Sequence, residues 1–268
     1  MRPRSSGIWA VMPANLTLSI GTLIGFLLVL ARVSGALVFV PLPGIKGGPQ
    51  PARAALALGM TLALYGRWPA IEAEAVNGGR MVAWIAAEAS LGIAIGVCVA
   101  ITLEAFSLAA QVLGLQAGYA YASTIDPNTD ADSGILLVIA QLFAGMLFFA
   151  LGLDREVLRL FAQSLDKVPA GVYILGPASA QTVIRLGSSL FTVGVRLALP
   201  VVALLVMVDV ALALMGRLNQ QLHLISIAFP AKMLTALLVL SWIAILFPRV
   251  LWQFSGDAWA AARRILGI

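Results

Sequence analysis

Four ionisable residues stand within or beside long apolar runs of this 268-residue chain: Glu88, Glu104, Arg196 and Asp209. A charge at lipid depth is costly unless it meets a partner, a cavity or water. Each of the four is therefore a candidate for a proton relay, a substrate contact or an ion pair between helices. Arg196 and Asp209 are 13 positions apart, about 20 Å along a helix, so neither serves the other. A second cluster, Asp126, Asn128, Asp130 and Asp132, alternates as a calcium loop does. Its sixth position is Ala131 where such a loop needs glycine, and its twelfth is Leu137 where it needs a bidentate glutamate, so no calcium site is expected. The single histidine, His223, and single cysteine, Cys98, nearly exclude a metal centre or a disulfide within one chain. His223 reads either as a ligand or pH switch, or as a polar loop residue. The patterns HExxH, GxSxG, GxGxxG and GxxxxGKS/T are all absent from the sequence, which predicts neither an enzyme nor a bound cofactor.

The elements that must hold these residues are apolar helices. Hydrophobic residues make up 61% of the chain and charged ones 11%, against roughly 45–50% and about 25% in soluble domains. With a mean hydropathy of +0.99, no polar domain of any size is left. The net charge of +5 comes from 17 scattered Lys and Arg, which make no stripe that tracks phosphates, so nucleic acid is not a partner. No charge separates Arg4 from Arg32, too long a run for a cleavable signal core, which predicts a retained first span from about Leu16 toward Val40. Further apolar segments run over Met81–Leu103, Ile135–Gly152, Leu190–Gly216 and Met233–Trp252. The stretch between Arg53 and Arg67 reaches only about 20 Å as a helix and is too short to cross a flat bilayer unless its arginines snorkel. Pro41–Pro51 and Asn77–Gly79 read as turns, and Leu153–Val168 reads as an amphipathic interfacial helix. Six spans with both termini in the cytoplasm put most Lys and Arg on the inner side.

Two features point to assembly. Glu88, Gly92, Gly96 and Ala100 recur every four residues, so one helix face is stripped of bulk for a neighbouring backbone, in this chain or in another subunit. The segment Gly118–Gly134, GYAYASTIDPNTDADSG, is the most polar interior stretch and joins two apolar ones. It reads as a surface connection or as a re-entrant element beside a water-filled path.

Several runs, in this order, carry a likeness: ARVSGALVFVPLP with PARAAL, EASLGIAIG, QVLGLQAGYAYASTIDP, QSLDKVPAG, LFTVGVRLALPVV and RLNQQLHLISIAFPAK. Together they resemble the FliR family of flagellar biosynthetic proteins, which includes the SpaR- and YscT-type export proteins of virulence systems. The resemblance covers nearly the whole chain. It implies an all-α membrane protein of helical hairpins, with a FliP-like part over about 1–175 followed by a FliQ-like part over 176–268 in a single integral membrane domain. It implies a structural subunit of a type III export gate in the bacterial inner membrane, at the flagellar basal body. Its partners would be FliP-like and FliQ-like subunits, an FlhB-like export protein, membrane lipid and unfolded secreted proteins. The resemblance makes the loop a channel plug, carried by Gly118, Tyr119, Tyr121, Ser123, Asp126, Pro127, Asp130 and Asp132. Packing and assembly then fall to Arg53, Glu88, Gly92, Gly96, Glu104, Arg196 and Asp209, with Arg217, Gln221, Phe229, Pro230 and Lys232 kept from the C-terminal signature. The chain departs from that signature at Gln220, Ile225 and Ala228, where the flagellar pattern has Pro, Phe and Gly, and at Leu153-Asp154 in place of a Gly-His pair. A virulence-type apparatus is the alternative, and a small-molecule or ion transporter is the rival from another class.

Overall fold

Backbone that enters lipid must satisfy its own hydrogen bonds, and helices do so within one segment. The computed structural model describes residues 19–40, 50–69, 71, 77–119, 135–171, 173, 176–218 and 224–267, and every regular element among them is helical. In chain order these are α1 (Ile20–Phe39), α2 (Gln50–Ala63) with a 3-10 turn at Tyr65–Arg67, α3 (Gly78–Ala117), α4 (Ile135–Ala150), α5 (Leu153–Lys167), α6 (Pro177–Leu218), α7 (Leu224–Ile243) and, after a 3-10 turn at Ala244–Leu246, α8 (Phe247–Leu266).

Local chemistry sets several of these boundaries. Ser19 caps α1 by accepting from the Thr22 amide, and the Asn77 side chain accepts from the Arg80 amide at 2.9 Å to start α3. The turn read at 77–79 is therefore a helix cap, with both glycines in the first turn of α3. The two apolar runs on either side of Gln111 are one helix, and α3 ends only where Gly118 adopts a left-handed φ of 86°. Gly152, also left-handed, separates α4 from α5, which are bent by 65° to one another. The amphipathic reading of 153–168 holds: α5 buries Leu153, Val157, Leu160 and Phe161, and charges occupy its other face.

α3 is the axis on which the other helices pack. α1 and α6 lie along it most extensively, and α4, α8 and α7 also touch it. The larger core joins α1, α3, α5 and α8 through residues such as Val33, Leu91, Ile95, Phe161 and Leu251; a smaller one joins the end of α3 to α4, α6 and α7 through Leu113, Leu136, Leu205 and Ala236. Phe247 meets the rings of both Phe106 and Phe143 at 5.6 and 5.8 Å and ties α8 to α3 and α4.

The span count differs from six. Among the described residues four helical stretches are long and apolar enough to cross a membrane, namely Ile20–Phe39, Gly78–Ala117, Pro177–Leu218 and Ala228–Leu266, or five if the bent pair α4–α5 counts as one. The number falls because α2 and α4, with 14 and 16 residues, are each too short to cross alone. At 40 and 42 residues, α3 and α6 are each about 60 Å long, twice the hydrocarbon thickness.

Candidate functional site at the stem of the polar loop

Three side chains and a tyrosine hold together the place where the polar loop leaves α3. Gln116, on the last turn of α3, donates from Nε2 to Asp209 Oδ2 at 3.2 Å, and Lys232 Nζ reaches Asp209 Oδ1 at 2.7 Å. One carboxylate thus links α3, α6 and α7. Two residues past α3, the Tyr119 hydroxyl donates to the Met233 carbonyl at 3.2 Å, one residue beyond Lys232. Partial burial pushes the Tyr119 phenol above its ordinary pKa, so it stays a protonated donor. Gly118 lies against the Phe229 ring, where an added Cβ would stand 2.9 Å from Cδ1. With its positive φ, this position accepts little but glycine. Tyr119 and Gly118 therefore dock the start of the loop onto α7. Tyr121, Ser123, Asp126, Pro127, Asp130, Asp132 and Gln221 lie outside the described residues.

A second carboxylate, this one fully buried, is paired as well. Glu88 and Arg32 are each 1% exposed, with Oε2 and Nε 2.5 Å apart. Arg32 Nη1 donates to Ser164 Oγ at 3.1 Å and Nη2 to the Val168 carbonyl at 3.3 Å, while Glu88 Oε1 accepts from the Gly171 amide at 2.9 Å. The network fastens α5 and the turn after it to the α1–α3 pair. Sequence reasoning assigned no role to Arg32; the signal it carried was an arginine midway in an apolar helix. Glu88 and Asp209 thus meet cations on neighbouring helices, the arrangement of structural ion pairs.

The small-residue stripe packs within the chain. A Cβ on Gly92 would collide with the Arg32 carbonyl, one on Gly96 would stand 2.8 Å from Ala36 Cα, and from the other side one on Gly35 would meet the Ala89 carbonyl at 2.6 Å. The stripe faces α1. Arg53 donates from Nη1 to the Val38 carbonyl at 3.3 Å, so it ties α2 to the C-terminal end of α1, where a cation suits the helix dipole. Arg67 pairs with Asp166 of α5. Glu104, Arg196, Arg217 and Pro230 are exposed, Arg217 in the last turn of α6 and Pro230 within α7 between Phe229 and Lys232. Among the described residues no group of three or more His, Cys, Asp or Glu is placed to hold a metal ion.

Comparison with known proteins follows the same helices. The pattern of the family described as bacterial export proteins, family 1, matches residues 23–257. The chain is similar to the flagellar biosynthetic protein FliR of Escherichia coli strain K12, at 28% identity over 222 residues, 82% of this chain and 83% of that one. It is similar to FliR of Bacillus subtilis strain 168 at 25% identity, covering 80% and 84% of the two chains. The secretion system apparatus protein SsaT of Salmonella typhimurium is 25% identical over 63% of this chain and 65% of its own length.

Proposed function

The chain belongs to the bacterial export proteins, family 1, and we propose that it is a structural subunit of a flagellar type III export gate whose loop from Gly118 to Asp132 closes the path of secreted chains. The flagellar reading is supported by the FliR proteins of Escherichia coli and Bacillus subtilis, which align over 82% and 80% of this chain. We place it in the bacterial inner membrane at the basal body, with FliP-like, FliQ-like and FlhB-like partners and unfolded proteins as cargo. It performs no chemical step in this reading; it shapes and closes a path.

The observation that carries the plug assignment is the docked stem. Gly118 and Tyr119 are held on α7 beside the Gln116–Asp209–Lys232 bridge, while a loop with three aspartates follows. Burying those carboxylates in a dry core would leave them and many backbone groups unsatisfied, so the loop needs water beside it. A polar element fixed at its stem suits an obstruction that yields when a chain passes. Deleting Ala120 to Asp126 tests this: the gate complex should still assemble, and cells expressing it should admit ions and small dyes that the parent excludes. A deletion that prevents assembly would make the loop a structural joint; one that assembles and stays tight would refute the plug.

A further inference from the structure

The middle of α6 faces a groove of about 370 Å3 closed on its other side by the α7–α8 junction. Its polar lining is Arg196, Gln253 and Asp257, and its apolar lining includes Leu246, Val250 and Phe254. Arg196 and Asp257 are exposed, and among the described residues no ion pair or hydrogen bond engages either side chain. Glu88 and Asp209, two of the other charges within the apolar runs, are both neutralised inside the chain. Pro200, also in the lining, has no N–H to give the Arg196 carbonyl, so one backbone acceptor of α6 loses its helix partner at the same spot.

Depth follows from α6 itself. Arg196 and Arg217 are 21 positions apart, about 31 Å along the axis, and the run between them holds a single charge, Asp209, already paired with Lys232. That distance matches one hydrocarbon core of about 30 Å, which puts Arg196 at headgroup level. The half of α6 on the other side of Arg196 carries an exposed polar line, Gln181, Arg185, Ser188 and Thr192, as a segment leaving the hydrocarbon should.

We propose that this groove binds the headgroup of a zwitterionic phospholipid of the phosphoethanolamine type, with Arg196 holding the phosphate, Asp257 the ammonium and the apolar wall an acyl chain. A guanidinium fork matches phosphate oxygens, and a carboxylate beside it favours a ligand carrying a cation a few bonds away. A purely anionic headgroup would satisfy Arg196 and meet repulsion at Asp257. The occupant is a lipid rather than a soluble phosphate because the groove continues as an apolar wall at membrane depth.

The test uses the full chain, solubilised and delipidated, titrated by native mass spectrometry with short-chain phosphatidylethanolamine and phosphatidylglycerol. Phosphatidylethanolamine should bind about tenfold more tightly, a difference of about 1.4 kcal/mol. Asp257→Asn should bring the two lipids to near equality, Arg196→Gln should weaken both about tenfold, and Gln253→Ala should weaken phosphatidylethanolamine by a smaller factor. Glycerophosphoethanolamine, which lacks acyl chains, should not displace the lipid. Each variant is checked for an unchanged elution profile; if one fails to elute as the parent does, the other two decide. Equal binding of both lipids by the parent, or lipid preference unmoved in the variants, would overturn the proposal. So would a photo-cross-linker at Val250 that captures a protein chain in place of lipid. These outcomes do not bear on the plug, whose readout is dye entry.

Discussion

Arg32 and Glu88 pose a sharp question at the scale of single residues, because each is buried and each is tolerable only with the other. Taking two charges out of water is repaid only when geometry and further hydrogen bonds are good, and here Ser164, Val168 and Gly171 supply them. Removing one partner leaves the other uncompensated, at a cost of about 3–5 kcal/mol. Glu88→Gln should therefore reduce the yield of folded protein and lower its melting temperature in detergent, while the double change Arg32→Met with Glu88→Leu should recover much of the loss. A Glu88→Gln protein as stable as the parent would show that the pair carries no weight. The loop stem gives a gentler case. Tyr119→Phe removes one hydrogen bond, worth about 1 kcal/mol, and Asp209→Asn loosens the bridge between α3, α6 and α7. Both variants should assemble, and in the Asp209 variant dye entry should rise above the parent; tight Asp209→Asn cells would mean that the bridge holds the helices without holding the loop.

Elements were legible in the sequence where periodicity was strong and misread where a helix runs through polar residues. The amphipathic helix from Leu153 stood out because charges and apolar residues alternate at helical spacing, and α5 keeps those bounds within a residue. The length of α3 was not legible: Glu104, Gln111 and Gln116 look like the edge of a span, yet the helix continues to Ala117 because tertiary packing on α6 decides there. The stripe at Gly92 and Gly96 was visible as a close-packing face, but the sequence left open whether its partner was internal. The partner is α1, identified by the Arg32 and Ala36 backbones that a Cβ would strike. Ion-pair partners were illegible for a simple reason: Arg32 with Glu88, and Lys232 with Asp209, are far apart in the chain, and spacing within one helix says nothing of them. For the stripe the expectation is asymmetric. Gly92→Leu and Gly96→Leu should abolish accumulation of the folded chain by separating α1 from α3, whereas Gly114→Ala, where nothing stands within 4 Å, should accumulate as the parent does. Normal accumulation of both leucine variants would mean that the two helices do not meet there.

For the molecule as a whole, burial is uneven. In the most apolar windows 67% of α3 is buried inside the chain, against 22% of α6 and 11% of the α7–α8 stretch, and large side chains such as Met207, Leu238 and Trp242 are more than 70% exposed. The chain thus spends its internal packing around α3 and presents much of α6 and α7 to lipid or to other subunits, while α8 turns one face back into the core. Surfaces of that size do not face water. Length then divides α6, since only about half of its 42 residues fit the hydrocarbon. The apolar run after Arg196 should be the embedded half, and the polar line from Gln181 to Thr192 should lie outside it. Single cysteines in a Cys98→Ala background report on this directly. Ser188→Cys should react with a membrane-impermeant maleimide, while Val206→Cys and Val210→Cys, exposed on the isolated chain, should stay protected in intact membranes. Reactivity at 206 and 210 equal to that at 188 would mean that this half of α6 is bathed in water, and the four-span account of the fold would fail with it.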